Sequence, residues 1–232
     1  MKNFAFIFAR GGSKGLPNKN LKLLKGKPLL EYSINIAQSC KMISKIFVSS
    51  DSERILDLAK NLGANAIRRP DKISNDSSPE WLAWQHAVSH VENRYGNFDK
   101  FISLPTTSPL RRVEDVNEAI TKISNEDADI CIGITKADNN PYFNMVEYNQ
   151  SHCLKIVKKL DKEVIRRQDQ PKVFNVTTVV YVTTPDYIKK SNGVFDGKVI
   201  GVDIHKKNAI DIDDIYDFKF AESLMEVQQD EI

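Results

Sequence analysis

The sequence is poor in cysteine, in net charge and in long apolar runs. It has only three cysteines in 232 residues, and no two of them form the CxxC pair of a structural zinc site. The 33 basic side chains nearly balance the 31 acidic ones, which disfavours a protein that neutralises many nucleic-acid phosphates. No apolar stretch approaches the roughly 18 residues that a membrane span needs. We therefore expect a cytoplasmic globular protein that binds small anions, with neither nucleic acid nor membrane as a partner.

What the sequence does contain is an alternation of apolar strands with amphipathic helices. The run FAFIF (4–8) predicts a first strand, PLLEYSINIAQSC (28–40) predicts a helix, and KIFVSS (45–50) predicts the next strand. Continuous apolar strands between amphipathic helices are typical of a parallel sheet that is covered on both faces. We predict an α/β fold with a doubly wound, mostly parallel sheet, forming a single domain over residues 1–232. Ligands of such folds bind at the carboxyl ends of the strands.

Residues 138–175 interrupt this alternation. The stretch DNNPYFNMVEYNQSHCLKIV reads as short strands and turns, and strand character returns only near VTTVVYVT at 176–183. No low-complexity linker sets this region apart. We predict that it is an insertion within the domain, shaped as an arm or hairpin.

The sequence ARGGSKGLPNKN at residues 9–20, called the glycine-rich loop here, directly follows the first predicted strand. Glycines at this place let the backbone approach a phosphate, whose charge the loop amides and Arg10, Lys14 and Lys19 would balance. The loop lacks both the G-x-x-x-x-G-K-[ST] pattern of nucleotide triphosphatases and the G-x-G-x-x-G pattern of dinucleotide-binding proteins. A phosphate-binding loop of another kind is the favoured interpretation, and a plain basic surface loop is the alternative.

The glycine-rich loop and several later motifs together resemble one enzyme family. These motifs are SSD (49–51), RRPDKISNDSS (68–78), TSPLR (107–111), RRQD (166–169) and IDID (210–213). In this order they resemble the CMP-N-acylneuraminate synthetases, the cytidylyltransferases that activate sialic acids. The resemblance implies a fold of the nucleotide-diphospho-sugar transferase type and a reaction that joins CTP to a 2-keto-3-deoxy sugar acid with release of pyrophosphate. By analogy, residues 138–175 would form a dimerisation arm that brings Arg166 toward the partner's site in a homodimer.

The resemblance also implies roles for individual residues. The catalytic residues would be Arg10, Lys19 and Arg166, and Asp211 and Asp213 would hold Mg²⁺, with Mn²⁺ as the alternative ion. Nucleotide-binding residues would be Ala9, Gly11, Gly12, Ser13, Asn20, Arg69 and Ser78, and sugar-binding residues would be Pro105, Thr106, Thr107, Arg166, Gln168, Thr177 and Thr178. For Arg166, the charged surroundings leave open a solvated surface patch.

The acidic segment IDID allows two interpretations. Asp211 and Asp213 are two residues apart on a strand-like segment, which directs both carboxylates to one face. Magnesium prefers one or two carboxylates, with phosphate oxygens and waters completing its octahedron. Alternatively, Asp213 and Asp214 cap the last predicted helix, which begins there. The resemblance favours the metal site.

Departures from the family pattern fall on the sugar side of the predicted site. Pro105 stands where relatives that act on N-acetylneuraminate commonly have glutamine, and Thr177 and Thr178 replace an Asn-Gly step. Separately, Glu80 replaces a serine sometimes found two residues after Ser78. We expect the acceptor to be a nonulosonic acid, neuraminate or a relative such as legionaminate or pseudaminate, and the departures favour a modified acid. Alternatives are an eight-carbon acid of the ketodeoxyoctonate type and a non-catalytic nucleotide-binding module. The intact IDID pair argues against the second, because binding alone does not require a metal site.

Overall fold

The computed structural model describes residues 1–13, 15–160 and 170–230 of the chain. The strands are β1 Asn3–Phe8, β2 Leu23–Leu24, β3 Lys27–Pro28, β4 Lys45–Ser50, β5 Asn65–Arg68, β6 Lys100–Ser103, β7 Ile130–Lys136, β8 Val146–Tyr148, β9 Leu154–Ile156, β10 Phe174–Thr183 and β11 Val199–Asp203. The helices are α1 Leu29–Ser39, α2 Glu53–Asn61, α3 Glu80–Tyr95, α4 Val113–Asn125, α5 Pro185–Lys190 and α6 Ile215–Asp230.

Within these described ranges, a central seven-stranded sheet has the order β11-β7-β10-β6-β1-β4-β5. Every pairing in it is parallel except those of β10, which runs antiparallel to both β6 and β7. The pairing of β10 with β7 is irregular: Val176 pairs with Ile134 and Tyr181 with Ile132, so residues 177–180 lie opposite Gly133 alone. This bulge lies beyond the carboxyl end of β6, since Tyr181 also pairs with Ser103.

Helices cover both faces of the sheet. Alternation along β1 directs Ala5 and Ile7 into a core with α1, α2 and α4, and directs Phe4 and Phe6 into a second, aromatic core with α3 and α5. A third, smaller core packs α6 against the residues that follow the glycine-rich loop. The predicted doubly wound, mostly parallel fold is therefore confirmed.

The prediction differs from the structure in three places. The apolar run of β10 does not indicate its antiparallel direction, and the six residues of helix α5, PDYIKK, are too few to show a helical repeat. The segment 209–214, expected to be strand-like, has no strand partner in the described residues. Its extended alternation is nevertheless present, because Ile212 is fully buried while Asp213 is exposed.

The predicted insertion at 138–175 contains the antiparallel hairpin β8–β9. Its strands pair with each other as a separate two-stranded sheet. The single-domain organisation and the role of this arm in dimerisation stay predictions. In the part of the chain that the structure describes, no helix has the length and apolarity to cross a membrane.

Candidate active site

The carboxyl ends of the central strands open into a cavity of about 320 Å³. The glycine-rich loop, residues 73–80, the residues just after β6 and the acidic segment at 211–213 form its walls. The predicted site residues that line it are Arg10, Ser13, Lys19, Asn20, Arg69, Ser78, Pro105, Thr106, Thr107, Thr178, Asp211 and Asp213. The structure thus brings together residues from four of the motifs and from β10, while their individual roles stay predictions.

Other predicted residues lie elsewhere. Ala9 is fully buried in the core, and its amide donates to the carbonyl of Ser49 at 3.0 Å. Thr177 is buried on the opposite side of β10 from Thr178, in the space left by the absent side chain of Gly133, where a methyl group would lie 2.6 Å from its Oγ1. Gly11 and Gly12 are not among the cavity-lining residues. Arg166 and Gln168 lie outside the described residues.

The glycine-rich loop is held by internal contacts as well as being open to a ligand. The amide of Gly11 donates to Oδ1 of Asp51 at 2.8 Å, so this amide is already occupied, contrary to the expectation that the loop amides face an anion. Gly12 has open space around it. Gly15 is required for a close approach, because a methyl group there would lie 2.3 Å from the carbonyl oxygen of Asp213.

Lys19 joins the glycine-rich loop to the acidic segment. Its Nζ donates to the carbonyl of Ile212 at 2.8 Å and contacts Oδ1 of Asp213 at 3.2 Å. Arg10 forms an ion pair with Asp76. A triphosphate that enters the cavity would therefore meet two cations that currently contact carboxylates, and it would compete with those carboxylates for them.

Arg69 forms the cavity wall beside β4. Its Nη2 and Nε donate to the carbonyl and the hydroxyl of Ser49 at 2.8 and 3.2 Å, and its guanidinium lies over the ring of Phe8. Burial lowers the pKa of Arg69, an effect that Asp51 and Glu80 oppose. These contacts fix the orientation of a buried cation next to the space where a ligand would lie.

A polar chain connects the glycine-rich loop to the residues after β6. Asn20 donates from Nδ2 to the carbonyl of Arg10 at 2.9 Å, and it accepts at Oδ1 from the hydroxyl of Thr106 at 2.5 Å. Asn20 is buried, so both ends of its amide are used within the protein. Asn20 could therefore influence a bound nucleoside only through the groups it holds, which are Thr106 and the backbone of the glycine-rich loop.

The acidic segment can accept a divalent cation. Oδ1 of Asp211 is buried and accepts no hydrogen bond in the described residues, although it faces a polar cavity. Burial raises the pKa of Asp211, while the hydroxyls of Thr107 and Thr178 and the charge of Lys19 favour its ionised form. No cluster of three or more His, Cys, Asp or Glu side chains suited to a metal occurs in those residues. The pair thus fits an ion such as Mg²⁺, which takes its other ligands from phosphate and water.

Five further polar residues line the cavity without having been predicted as site residues: Ser74, Asn75, Asp76, Glu80 and Tyr181. Glu80 accepts from Nε1 of Trp84 at 3.1 Å, and burial raises its pKa against the effects of Trp84 and Arg69. Tyr181 has a pKa raised to about 12 by burial and by the nearby Glu80 and Asp211. Glu80 was visible only as a departure from the family pattern, and the apolar context of Tyr181 gave no signal.

These features define an α/β protein that binds a phosphate-bearing ligand at the carboxyl edge of a doubly wound sheet. A cationic loop after β1 and a carboxylate pair line one cavity, and Lys19 of the loop contacts Asp213 of the pair. The chain belongs to the cytidylyltransferase family: the sequence model of that family matches residues 4–226. The predictions of a nucleotidyltransferase and of the sialic-acid synthetase type are confirmed.

Two relatives agree with this assignment, and a solved structure shares the fold. The chain is 32% identical to a CMP-N,N'-diacetyllegionaminic acid synthase of Campylobacter jejuni, over 96% of this chain and 94% of that protein. It is 27% identical to an N-acylneuraminate cytidylyltransferase of Streptococcus agalactiae, over 94% of this chain and 52% of that protein. A CMP-2-keto-3-deoxy-manno-octonic acid synthetase solved with CTP shares the fold, with a TM-score of 0.72 and 16% identity over 98% of this chain and all of that one.

Proposed function

We propose that this protein transfers the cytidylyl group of CTP to a nonulosonic acid and releases pyrophosphate. A hydroxyl oxygen of the acid forms a bond to the α-phosphorus, and the bond from that phosphorus to the bridging oxygen breaks. The hydroxyl proton goes to solvent. The observation that supports this proposal best is that two cations, Arg10 and Lys19, and the carboxylate pair at 211 and 213 line the same cavity of a cytidylyltransferase.

The side chains supply positioning and charge. Arg10 and Lys19 would leave Asp76 and Asp213 to contact phosphate oxygens, and Arg69 and Ser78 would enclose the nucleotide. Nucleotidyl transfer depends mainly on holding the reacting groups in line and on neutralising the charge that develops on the leaving pyrophosphate. Cations on a loop anchored by buried contacts can do this without reorganising during the reaction.

The carboxylate pair would hold a divalent ion, as cytidylyltransferases generally require. We propose Mg²⁺, with Mn²⁺ able to replace it, at Asp211 and Asp213. When bound, the ion would supply charge neutralisation at the phosphate oxygens. It would also relieve the buried, unsatisfied Oδ1 of Asp211.

For the acceptor, we propose a modified nine-carbon acid over plain N-acetylneuraminate. Pro105 lines the cavity and offers no side-chain hydrogen bond. The hydroxyl of Thr178 is already engaged by Thr107 at 3.1 Å and by Ser108 at 2.7 Å. The wall formed by Pro105 and Thr178 therefore has no free side-chain group to hydrogen-bond the hydroxyls of a polyhydroxylated acid. A site that lacks such hydrogen bonds tolerates an acid from which a hydroxyl has been removed. The legionaminic acid relative supports the same choice.

The test is a pyrophosphate-release assay with CTP and a panel of neuraminate, legionaminate, pseudaminate and ketodeoxyoctonate. We expect release only with CTP, a divalent ion and an acid, with the highest kcat/KM for legionaminate or pseudaminate. Reactions without acid, with a chelator, or with ATP, GTP or UTP serve as controls. Equal rates with the other nucleotides or full activity in excess chelator would contradict the proposal. A preference for ketodeoxyoctonate would favour the alternative enzyme, and CTP binding without turnover on any acid would favour a binding module.

A further inference from the structure

Arg111 is a buried cation within the TSPLR motif for which the proposed reaction gives no role. Only 3% of its surface is exposed. Burial lowers its pKa to about 9, so the guanidinium is still charged at neutral pH; Asp115 and Asp211 oppose the shift. In the described residues it forms no ion pair within 4.0 Å. A buried charge is expensive unless hydrogen bonds compensate it, so its contacts indicate what it does.

The guanidinium of Arg111 binds backbone carbonyls where three elements meet. Its Nε donates to the carbonyl of Val179 at 2.7 Å, and its Nη2 donates to those of Thr178, at 3.2 Å, and Pro105. Its Nη1 donates to the hydroxyl of Ser33 on α1 at 2.8 Å, and that hydroxyl donates in turn to the carbonyl of Pro105 at 3.1 Å. One side chain therefore ties α1, the end of β6 and the bulge of β10 together.

The bulge explains why such a residue is needed. Residues 177–180 lie opposite the single residue Gly133, so the carbonyls of Thr178 and Val179 lie outside the regular ladder between β10 and β7. Buried carbonyls must find other donors. Arg111 provides them, and its planar group, with five N–H donors, can reach several acceptors that a single ammonium cannot.

We infer that Arg111 is a positioning residue for the acceptor half of the site, which it shapes by holding the bulge of β10 against the end of β6. The inference rests on the proposed function for what that half binds. The held segment carries Thr178, whose hydroxyl contacts Thr107 and Ser108. The carbonyl of Thr107 accepts from the amide of Ile212 at 2.8 Å and so fixes the segment that carries Asp211. Bulges next to active sites commonly aim a side chain in this way.

The test compares Arg111→Lys with the control Arg112→Lys, which makes the same change at an exposed neighbour whose Nε contacts Glu114. Because small misplacements of reacting groups are costly, we expect Arg111→Lys to raise the KM of the best acid at least about tenfold. The Kd for CTP, measured by calorimetry with a chelator, should change less than about twofold because the glycine-rich loop does not contact Arg111. The control should match the wild type in both.

A second readout does not depend on activity. Amide hydrogen exchange should become faster in the peptide covering residues 176–181 of Arg111→Lys, and remain unchanged in β1 and β4. If Arg111→Lys does not fold, Ser33→Ala replaces it, and a smaller change in the same direction is expected. A wild-type KM with wild-type exchange at 176–181 would overturn the inference, as would a general loosening with equal effects on CTP and acid. If the wild type turns over no acid, the proposed function fails, and the exchange experiment still decides the role of Arg111.

Discussion

At the residue scale, two adjacent aspartates before α6 have separate contacts. Oδ1 of Asp214 accepts from the amides of Tyr216 and Asp217 at 2.7 and 3.0 Å, which makes Asp214 the N-terminal cap of the helix. Asp213 instead contacts Lys19 and lines the cavity. The capping interpretation of the sequence therefore describes Asp214, and the carboxylate of Asp213 is left for another role.

This separation allows a residue-scale prediction. Asp211→Asn and Asp213→Asn should lower kcat by about 10²-fold or more, because each removes charge from the proposed metal pair. Activity should be partly restored at high Mg²⁺ or Mn²⁺. Steady-state kinetics over a series of metal concentrations measures both effects. Wild-type kinetics in both variants would contradict the metal proposal.

The control for this prediction is Asp214→Ala. Loss of a cap should lower the free energy of unfolding by about 1 kcal/mol and leave kcat close to that of the wild type. Denaturant unfolding measures the first quantity. A variant of Asp214 that lost turnover at unchanged stability would show that the cap and the site are not separate.

How far the sequence predicts the site differs from one residue to the next. Lys19 and Asp213 could be named from motifs, because charged side chains in a glycine-rich loop and an acidic pair carry their chemistry in their type. Thr177 and Thr178 could not be told apart, since the direction of each depends on a bulge that only the pairing with β7 creates. The contact of Asp51 with Gly11 joins residues 40 positions apart, so neither the SSD motif nor the glycine-rich loop reveals it by itself.

At the element scale, two glycines of the glycine-rich loop differ in the space around them, and this difference can be tested. Gly15→Ala should separate the loop from the acidic segment, because the new methyl group would lie 2.3 Å from the carbonyl of Asp213. Overpacking of this kind costs about 1–3 kcal/mol of unfolding free energy, and we expect the contact of Lys19 with Asp213 and the turnover to be lost with it. Thermal unfolding and kcat measure the two effects.

Gly12→Ala is the matched control in the same loop. Gly12 has open space around it, so the added methyl group should leave the unfolding free energy nearly unchanged. Its effect on the KM for CTP shows how closely a phosphate approaches that backbone. Equal stability of Gly12→Ala and Gly15→Ala would contradict the close packing of loop and acidic segment.

The helices and strands with the longer sequence patterns are the ones that the sequence predicts. Helices α1 to α4 follow from apolar residues at intervals of three and four, and β1, β4 and β7 from continuous apolar runs. The direction of β10 could not be predicted, because an antiparallel strand buried on both faces has the same composition as a parallel one. The direction of β10 depends on how the inserted arm at 138–175 connects it to β7, and the sequence of that arm shows little periodicity.

At the scale of the whole molecule, the hairpin β8–β9 presents apolar side chains to solvent. Met145, Val146, Tyr148 and Leu154 are 43%, 53%, 71% and 60% exposed, and Tyr148 lies opposite Leu154 in the hairpin register. Contiguous exposed apolar surface of this kind is uncommon on monomers and marks interaction sites. We propose that a second copy of the chain covers it in a homodimer, as the sequence resemblance implies.

The last prediction is that the wild type sediments as a dimer and that the double variant Tyr148→Glu, Leu154→Glu shifts toward the monomer, because each change places a charge in the apolar contact. If Arg166 reaches the site of the partner subunit, kcat should fall as the dimer dissociates and should recover at high protein concentration. Sedimentation velocity and turnover, measured over the same concentration range, test the two statements together. Phe195→Glu is the control, since Phe195 is 69% exposed but lies outside the hairpin, and it should leave both quantities unchanged. A wild type that is monomeric and fully active would exclude the proposed dimer. A double variant that is monomeric and fully active would leave the dimer of the wild type in place but would exclude a contribution of Arg166 to the partner's site.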